Sequence, residues 1–464
     1  MTELDGLSVS VFDSQLYSPL FTQKEMKEIW ADKNLIQCWL TYEIALANAQ
    51  ATCGVIPAEA VAAINEVCQL EYIDWTRLAN ETEHVGMAIK PLIDQLSASE
   101  DRLVQRYLHW GGTTQDVLDT SLAMRVKQSL SLLKAQLVKL ADALVLMIDK
   151  HRHTVMVART NSMDALPTTW GLHVSGYLRE ITLHLDRLAS IAPRATSAVF
   201  GGAVGNLSSI GDKGLDVRKA LFSYLELPEP WGLANASMDG IVELIQYHAI
   251  VHGTLCRIAN DVETMGRAPI AEVREGESGG GSSTMPHKAN PRASNMIQTL
   301  SRMGWMYASG APNLMDQRDV RSASMRVLNW SLVPESSLAL STSLERAERL
   351  ISHLIVDSSQ MEANFNASRY FVMGEAVMMK AAEIIGRGEG YRRVKLVIEN
   401  APKDGMLKEV LLQNGDIKAL LGSDVIESAC DPRNYLGCND ALIDETLERY
   451  SDVRASAVAQ FGLD

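Results

Sequence analysis

The longest stretch without a helix breaker is the feature that most constrains the fold of this chain. Residues 116–155 contain no glycine and no proline, the two residues that most often interrupt regular structure. Within this stretch, apolar side chains recur at alternating spacings of four and three residues: Val126, Leu130, Leu133, Leu137, Leu140, Leu144 and Met147. The resulting 3.5-residue repeat is typical of a long helix packed nearly parallel to its neighbours. At 1.5 Å per residue, such a helix is roughly 55–60 Å long.

A helix of this length needs long partners, and four other stretches rich in Leu, Ala, Met and Ile can supply them. These stretches are residues 173–191, 240–266, 292–308 and 335–356. Since the chain has only seven Phe and no clear period-2 strand pattern, we predict an all-α protein with a central bundle of long helices. We divide it into an N-terminal helical domain (1–111), the central bundle (112–355) and a C-terminal helical domain (356–464).

Shorter helices are expected on either side of the bundle. In the N-terminal domain they cover residues 22–30, 34–52, 57–67 and 90–97. The C-terminal domain is expected to be helical in pieces, with loops at residues 386–390 and 431–437.

The charge balance narrows the function. The 464 residues include 43 Lys plus Arg against 57 Asp plus Glu, a net charge of −14, which excludes a broad nucleic-acid interface. A local basic pocket for an acidic substrate remains possible. The six cysteines are too sparse for a disulfide scaffold and contain no CxxC pair. With no signal peptide and no apolar run near the roughly 20 residues that span a bilayer, we expect a cytoplasmic protein without membrane contact.

The segment most informative about chemistry is Gly279–Pro291, GGGSSTMPHKANP. Its glycines allow close approach of the backbone to a ligand, while Lys288 offers a cation to a carboxylate and Asn290 offers two N–H donors. A helix that begins near Arg292 would add the positive end of its dipole. The phosphate-binding pattern GxxxxGK[ST] does not match. On composition alone, a Gly/Ser linker with one surface lysine is an equal alternative.

Two more polar segments stand out. His109–Asp116, HWGGTTQD, precedes the long helix; Thr114 can cap that helix and leave Thr113 for a ligand oxygen, although capping alone is the simpler interpretation. Arg159–Thr169 is interpreted by itself as a polar loop before a helix.

A metal site is not indicated by the histidines. His248 and His252 are four residues apart and could share a metal ion from one helix face. No third His, Cys or carboxylate ligand stands at a recognisable spacing, so we expect no metal.

Together, the three polar segments resemble the fumarase/aspartase superfamily, also called the aspartase/argininosuccinate lyase family. GSSTMPHKANP is similar to its signature loop, and HWGGTTQDVLDT and ARTNSMDALPTTWG occur in the expected order and separation. The resemblance covers nearly the whole chain and is strongest to the 3-carboxy-cis,cis-muconate cycloisomerases, through SPLFTQKEM, YEIALANAQATCGVIP, GEAVMM and DPRNYLG. It implies an all-helical, three-domain subunit and a homotetramer with a 20-helix core, in which each active site combines segments of three subunits.

The resemblance also implies roles for individual residues. Ser282 is implied as the catalytic base; because serine is a very weak base, its oxyanion needs N–H donors and a positive field around it. The implied substrate-binding residues are Thr113, Thr114, Asn161, Met285, Lys288, Asn290 and His84. No cofactor is implied. His84 and His109 are both candidates for the general acid.

Three departures from the family pattern bear on the substrate. Asn161 stands where elimination lyases carry a histidine and cycloisomerases usually a tryptophan, and a neutral amide cannot act as a general acid near pH 7. Residues 236–240, ASMDG, lack two arginines of the cycloisomerases. Leu20 and Phe21 replace an Arg-Tyr pair that binds the nucleotide phosphate in adenylosuccinate lyases. The last departure speaks against a nucleotide substrate. Asn161 argues against a standard adenylosuccinate lyase without making the chain a standard cycloisomerase.

We therefore expect a cofactor-free lyase of the cycloisomerase-like branch. It would cleave a C–N or C–O bond of a small succinyl-type polycarboxylate by reversible β-elimination, releasing fumarate or a related unsaturated acid. The main alternative is a 3-carboxy-cis,cis-muconate cycloisomerase proper. An adenylosuccinate lyase and a catalytically inactive structural relative, such as the lens crystallins of this superfamily, are the others.

Overall fold

The prediction of an all-α protein is confirmed. The computed structural model describes residues 8–276, 284–285 and 287–461, with side chains through residue 456. Helices dominate the described residues. They are α1 (Ser18–Phe21), α2 (Lys24–Trp30), α3 (Asp32–Thr52), α4 (Glu59–Val67), α5 (Trp75–Val85), α6 (Ile89–Ser97), α7 (Arg102–Tyr107), α8 (Thr114–His151), α9 (Trp170–Ala195), α10 (Gly214–Tyr224), α11 (Asp239–Met265), α12 (Arg292–Gly310), α13 (Ala323–Ser352), α14 (Ser358–Ala367), α15 (Gly374–Ile385), α16 (Arg387–Glu399), α17 (Leu407–Gln413), α18 (Gly415–Leu421), α19 (Ser423–Ala429) and α20 (Asn439–Phe461).

The long helix predicted from the heptad pattern is α8, with 38 residues. All seven apolar residues of the pattern are buried; Val126, Leu133 and Leu140 have no exposed surface. Burying a side chain of this kind stabilises the fold by about 1.5–3 kcal/mol, so this stripe is a major part of the core. The helix ends at His151, before the end of the breaker-free stretch, because a strand begins at Val155.

The four predicted partner stretches correspond to α9, α11, α12 and α13. Only α13 differs substantially: it begins at Ala323, twelve residues before the predicted start at Glu335. Pro334 lies inside the helix. A proline removes one backbone N–H and crowds the preceding turn, which the rest of this 30-residue helix tolerates.

The segment interpreted as a polar loop is a β-hairpin, so that interpretation is wrong. Strand β1 (Val155–Thr160) pairs antiparallel with β2 (Met163–Thr169), and the pairing joins Thr160 to Met163 across a two-residue turn. The turn residues Asn161 and Ser162 have φ values of 50° and 64°, the left-handed geometry of a type I′ hairpin turn. A second short pair joins β3 (Val273–Arg274) to β4 (Ile355–Val356).

Outside the bundle, the four predicted N-terminal helices are present as α2, α3, α4 and α6, within two residues at each end. Sequence reasoning missed α5, which carries His84. It also predicted a loop at residues 386–390, where α16 in fact begins at Arg387. Gly390 is inside α16 because that helix crosses closely over α15: a Cβ there would lie 3.0 Å from the Ala382 nitrogen.

The described chain divides into two compact units. The first unit comprises Met1–Gln136, His184–Gly253 and Thr299–Glu345, and the second unit comprises Leu137–Leu183, Thr254–Gln298 and Arg346–Asp464. All the divisions fall inside long helices. The three-domain division at residues 111 and 355 stays a prediction.

Each unit has its own core. In the first unit, buried side chains of α3, α4 and α10 meet, among them Trp39, Leu46 and Phe222. In the second unit, Val157 of β1 belongs to a core formed largely by α15 to α19. Within the described residues, no helix is both long enough and apolar enough to cross a membrane.

Candidate active site

The implied catalytic base, Ser282, lies outside the described residues, but the end of its segment is described. The Lys288 backbone N–H donates to the Met285 carbonyl at 3.0 Å, and both side chains are exposed. The Asn290 carbonyl accepts a hydrogen bond from Arg292 N–H at 2.9 Å, where α12 begins. The predicted helix start is therefore confirmed.

The N-terminus of α12 already holds a carboxylate of the protein itself. Glu275 accepts hydrogen bonds from Ala293 N–H at 3.0 Å and from Ser294 N–H at 2.9 Å, and a third from the Ser294 hydroxyl at 2.7 Å. The sequence predicts that this helix end favours a bound anion. Because Glu275 occupies two of its first N–H groups, the helix dipole stabilises an internal charge instead.

A buried ion pair holds the hairpin that carries Asn161. Arg159 of β1 donates two hydrogen bonds to the Glu272 carboxylate, each 2.7 Å long, and Asn364 of α14 donates a third at 2.8 Å. The Glu272 side chain has no exposed surface. Its hydrogen bonds raise the pKa of Arg159 against the effect of partial burial. Asn161 itself is exposed at the hairpin turn.

At the start of α8, a buried aspartate organises the segment that contains Thr113. The Asp116 carboxylate accepts hydrogen bonds from Thr113 N–H at 3.1 Å, Gly201 N–H at 3.0 Å and Gly202 N–H at 3.1 Å. Burial raises the pKa of Asp116 to about 6, although these three donors act in the opposite direction. Thr114 is the first residue of the helix, so the N-cap position predicted for it falls to Thr113, whose backbone N–H donates to Asp116 inside the helix.

The two candidates for the general acid differ in their surroundings. His109 Nδ1 lies 2.7 Å from the Glu43 carboxylate, which is almost fully buried. Burial lowers the pKa of His109, but the Glu43 charge and hydrogen bond outweigh it, and the net shift is upward. His84 is exposed in the last turn of α5. Of the two, His109 is the one whose proton is held by a carboxylate.

A cavity of about 580 Å³, which we call the α8 cavity, opens beside Thr114 in the first unit. One face of α8 forms a wall of it, and residues of α3, α5 and α13 contribute further walls. Its lining combines aromatic and aliphatic side chains with five charged ones. The lining residues are Trp30, Asp32, Leu35, Trp39, Thr82, Gly86, Met87, Ala88, Thr114, Gln115, Leu118, Asp119, Leu122, Arg125, Arg321, Ala323, Arg326, Val327, Asn329, Trp330 and Pro334.

The three arginines of the cavity have different partners. Arg326 is buried and pairs with Asp119, whose pKa is raised by burial while Arg326 acts to lower it. Arg125 lies over the Trp30 ring, 4.9 Å from its centroid, and burial lowers its pKa to about 10. Arg321 donates to the Thr113 hydroxyl oxygen at 3.4 Å. A cationic group thus lies next to a predicted substrate-binding residue.

Sequence reasoning missed these arginines, as well as Glu43. Residues 318–326, RDVRSASMR, contain three arginines within nine positions, a signal that a search for anion-binding segments could have used. Arg125 falls inside the heptad stretch and looked like an ordinary charged position of a helix. Glu43 lies 66 residues before His109, so no local pattern joins them.

The predicted site residues fall into both units. Thr113, Thr114 and His84 belong to the first unit, and Thr114 is the one that lines the α8 cavity. Four further predicted residues belong to the second unit; they are Asn161, Met285, Lys288 and Asn290.

The histidine pair on α11 lies in the protein interior. His248 and His252 are fully buried, and His248 Nδ1 lies 3.2 Å from the Ser336 hydroxyl. Throughout the described part of the chain, no group of three or more His, Cys, Asp or Glu side chains is placed to hold a metal ion.

Comparison with known proteins identifies the class. Residues 18–303 match the protein family described as "Lyase", and residues 371–446 match "Adenylosuccinate lyase C-terminus". The chain belongs to the fumarase/aspartase family of lyases, and it is an enzyme of the lyase or cycloisomerase type.

Individual relatives cover almost the whole chain. Trans-aconitate decarboxylase 1 of Mycosarcoma maydis is 33% identical over 97% of this chain and 92% of its own length. The 3-carboxy-cis,cis-muconate cycloisomerase of Bradyrhizobium diazoefficiens is 33% identical over 94% of this chain and 98% of its own. The crystal structure of 3-carboxy-cis,cis-muconate lactonizing enzyme from Pseudomonas putida superimposes with a TM-score of 0.88 at 30% identity, over 95% of this chain and 100% of that one.

Proposed function

We propose that the protein is a cofactor-free lyase that acts by reversible β-elimination on a small succinyl-type polycarboxylate. It cleaves a C–N or C–O bond and releases fumarate or a related unsaturated acid. Ser282 is the base, and the carboxylates are bound by Thr113, Thr114, Lys288 and Asn290. The functional enzyme is a homotetramer with active sites shared between subunits.

One observation carries the proposal: Thr114 lines a cavity with three arginines in a chain that belongs to a lyase family. The names of its relatives point the same way, since trans-aconitate and 3-carboxy-cis,cis-muconate are both tricarboxylates. A positively charged pocket in a protein of net charge −14 indicates selective binding of anions.

The proposed reaction starts with proton abstraction. Ser282, as its oxyanion, takes a proton from the carbon next to a carboxylate, and the electron pair of the C–H bond moves into that carboxylate. The resulting dianion needs cations and N–H donors around it, the roles proposed for Lys288 and Asn290. When it collapses, a C=C bond forms and the C–N or C–O bond on the neighbouring carbon breaks.

The leaving group must receive a proton as it departs. Asn161 cannot supply one, because an amide is not an acid near neutral pH. His109 is the better candidate of the two histidines, since the Glu43 carboxylate favours its protonated form. Asn161, Met285 and His84 are proposed to shape the pocket around the substrate.

Incubation with fumarate and a mixture of ammonia, amines and amino acids tests the proposal. The wild-type protein should form an adduct detectable by mass spectrometry, because addition is the reverse of elimination, and the adduct mass identifies the leaving group. Ser282→Ala should form none while keeping its assembly. An equally active Ser282→Ala variant would contradict the assignment of the base.

A second candidate, 3-carboxy-cis,cis-muconate cycloisomerase, is favoured by the matches to enzymes of that name. The same experiment separates the two. If no adduct forms, 3-carboxy-cis,cis-muconate and trans-aconitate are tried next, with lactone formation and CO2 release as the respective readouts. Turnover of either compound without any adduct would replace the elimination proposal.

A further inference from the structure

We propose that Arg321 forms a dedicated carboxylate-binding subsite in the α8 cavity and thereby selects substrates with a third carboxylate. This inference rests on the proposed function, because it concerns the same site and names its substrate class more closely. The two carboxylates that the elimination chemistry uses would be those next to the proton and on the neighbouring carbon. The third would be held by Arg321.

The first argument is the charge balance of the cavity. Three arginines face two aspartates there. Arg326 and Asp119 are both almost completely buried and form an ion pair, so they contribute little net charge to a ligand. Arg321 forms no ion pair within 4 Å with any carboxylate that the structure describes, although its charge acts at longer range on Asp119, where it works to lower the pKa.

The second argument is the placement of Arg321. It is half-buried, and its guanidinium lies 3.4 Å from the hydroxyl oxygen of Thr113, next to Thr114 at the cavity wall. A single hydroxyl satisfies at most one of the five N–H donors of a guanidinium. The planar group is suited to bind a carboxylate through two parallel hydrogen bonds, which a lysine cannot do.

The third argument is that the framework around Arg321 is fixed. Asp116 holds the Thr113 backbone through a hydrogen bond of 3.1 Å, and Arg326 donates to the Asn235 carbonyl as well as to Asp119. These hydrogen bonds hold the cavity wall in place without using the N–H donors of Arg321. A subsite held in this way binds a ligand at a low ordering cost.

Binding of two unreactive acids provides the test. Tricarballylate (propane-1,2,3-tricarboxylate) differs from methylsuccinate (2-methylbutanedioate) by one terminal carboxylate alone, and both acids keep a pair of carboxylates on neighbouring carbons. We expect calorimetry to show that the wild-type protein binds tricarballylate at least about tenfold more tightly, since a hydrogen-bonded charge pair contributes about 1.5–3 kcal/mol. Arg321→Gln should lose this preference, and Arg321→Lys should keep part of it. Arg102→Gln, an exposed arginine of the first unit, should keep all of it.

Several results would overturn the inference. One is that the wild-type protein binds neither acid, or binds both equally. Another is that Arg321→Gln lowers the affinity for both acids by the same factor, which would make Arg321 a positioning residue for Thr113. Ser282→Ala is expected to bind both acids as the wild type does. If the wild-type protein forms no adduct but keeps its preference for tricarballylate, the elimination chemistry alone is refuted.

Discussion

Acidification should destabilise the protein through two neutral histidines in its interior. His248 and His252 have no exposed surface, and neither ring nitrogen of His252 has a hydrogen-bond partner among the described residues. A Cβ placed on Gly304 would lie 2.2 Å from the His252 ring, so helices α11 and α12 meet there without spare room. Burial accordingly lowers the pKa of both histidines to about 3.

The size of the effect follows from the proton balance. In the unfolded chain each histidine titrates near pH 6.5, whereas in the folded protein it stays neutral until far lower pH. Below pH 6.5 the unfolded state therefore binds more protons, and stability falls as the pH falls. When the pH falls from 7.5 to 5.5, each histidine lowers the free energy of unfolding by about 1.4 kcal/mol. This value depends on the unfolded pKa alone, because the folded pKa lies well below 5.5.

Other groups act in the opposite direction, so the comparison must be made between variants. The pKa of Asp116 is raised to about 6, and that of His109 is also raised. As the pH falls, both groups therefore bind a proton in the folded state before they do in the unfolded state, which stabilises the folded state. Both contributions cancel when a histidine variant is compared with the wild type at each pH. His252→Leu is suitable because it removes the titrating ring, has nearly the same volume and breaks no described hydrogen bond.

Thermal unfolding at pH 7.5 and 5.5 is the assay. The unfolding entropy is about 2.1 cal/mol/K per residue. In a chain of 464 residues, a change of about 1 kcal/mol in the free energy of unfolding therefore shifts the melting temperature by about 1 °C. The melting temperature of His252→Leu relative to wild type should thus rise by about 1–2 °C on acidification, and that of the double variant with His248→Leu by about 3 °C. His153→Gln, at an exposed histidine, should show no such change. The reasoning is refuted if the melting temperature of the variant minus that of the wild type stays constant or falls on acidification.

Three further predictions concern the site and the assembly. Lys288→Ala should raise KM more than it lowers kcat, and an unchanged KM for the identified substrate would argue against carboxylate binding by Lys288. Glu272→Ala should lower the free energy of unfolding by about 1.5–3 kcal/mol, measured in urea, because Arg159 loses its buried partner and keeps only the exposed Asp164. Glu389→Ala, which removes an exposed carboxylate bound to two arginines, is the control and should change little. Light scattering should report about four times the 50.9 kDa subunit mass, and a monomer at assay concentrations would contradict the predicted tetramer.

The fold could be predicted as far as hydrophobic periodicity determines it. The stripe from Val126 to Met147 is buried throughout, because a 3.5-residue repeat leaves a helix one continuous apolar face. Predictions failed where a local signal was overridden by packing. The stretch predicted from Glu335 begins at Ala323, so that Pro334 lies inside α13, and Gly388 and Gly390 suggested a loop but lie inside α16, which packs closely against α15 at Gly390.

The candidate site could be predicted only where its residues are neighbours in sequence. The motif residues could be proposed because each set spans about a dozen positions, and their roles stay predictions; the predicted start of α12 at Arg292 is confirmed. The charge pairs that support these segments could not be found in this way. Glu272 lies 113 residues from Arg159, and Asp119 lies 207 residues from Arg326. Side chains at such separations meet through the packing of long helices and strands, which composition and spacing do not specify.

Asn161 shows how structure changes the meaning of a departure from a motif. From the sequence, the amide in place of a histidine was a question of chemistry, because a proton donor was lost. The structure adds a backbone reason: Asn161 has a φ of 50° in a two-residue turn, and asparagine adopts this left-handed geometry more readily than most residues. Selection for the turn is thus a sufficient explanation for asparagine at this position, whatever its side chain contributes. The proposal of His109 as the proton donor is unaffected by this explanation, because its pairing with Glu43 does not depend on the hairpin.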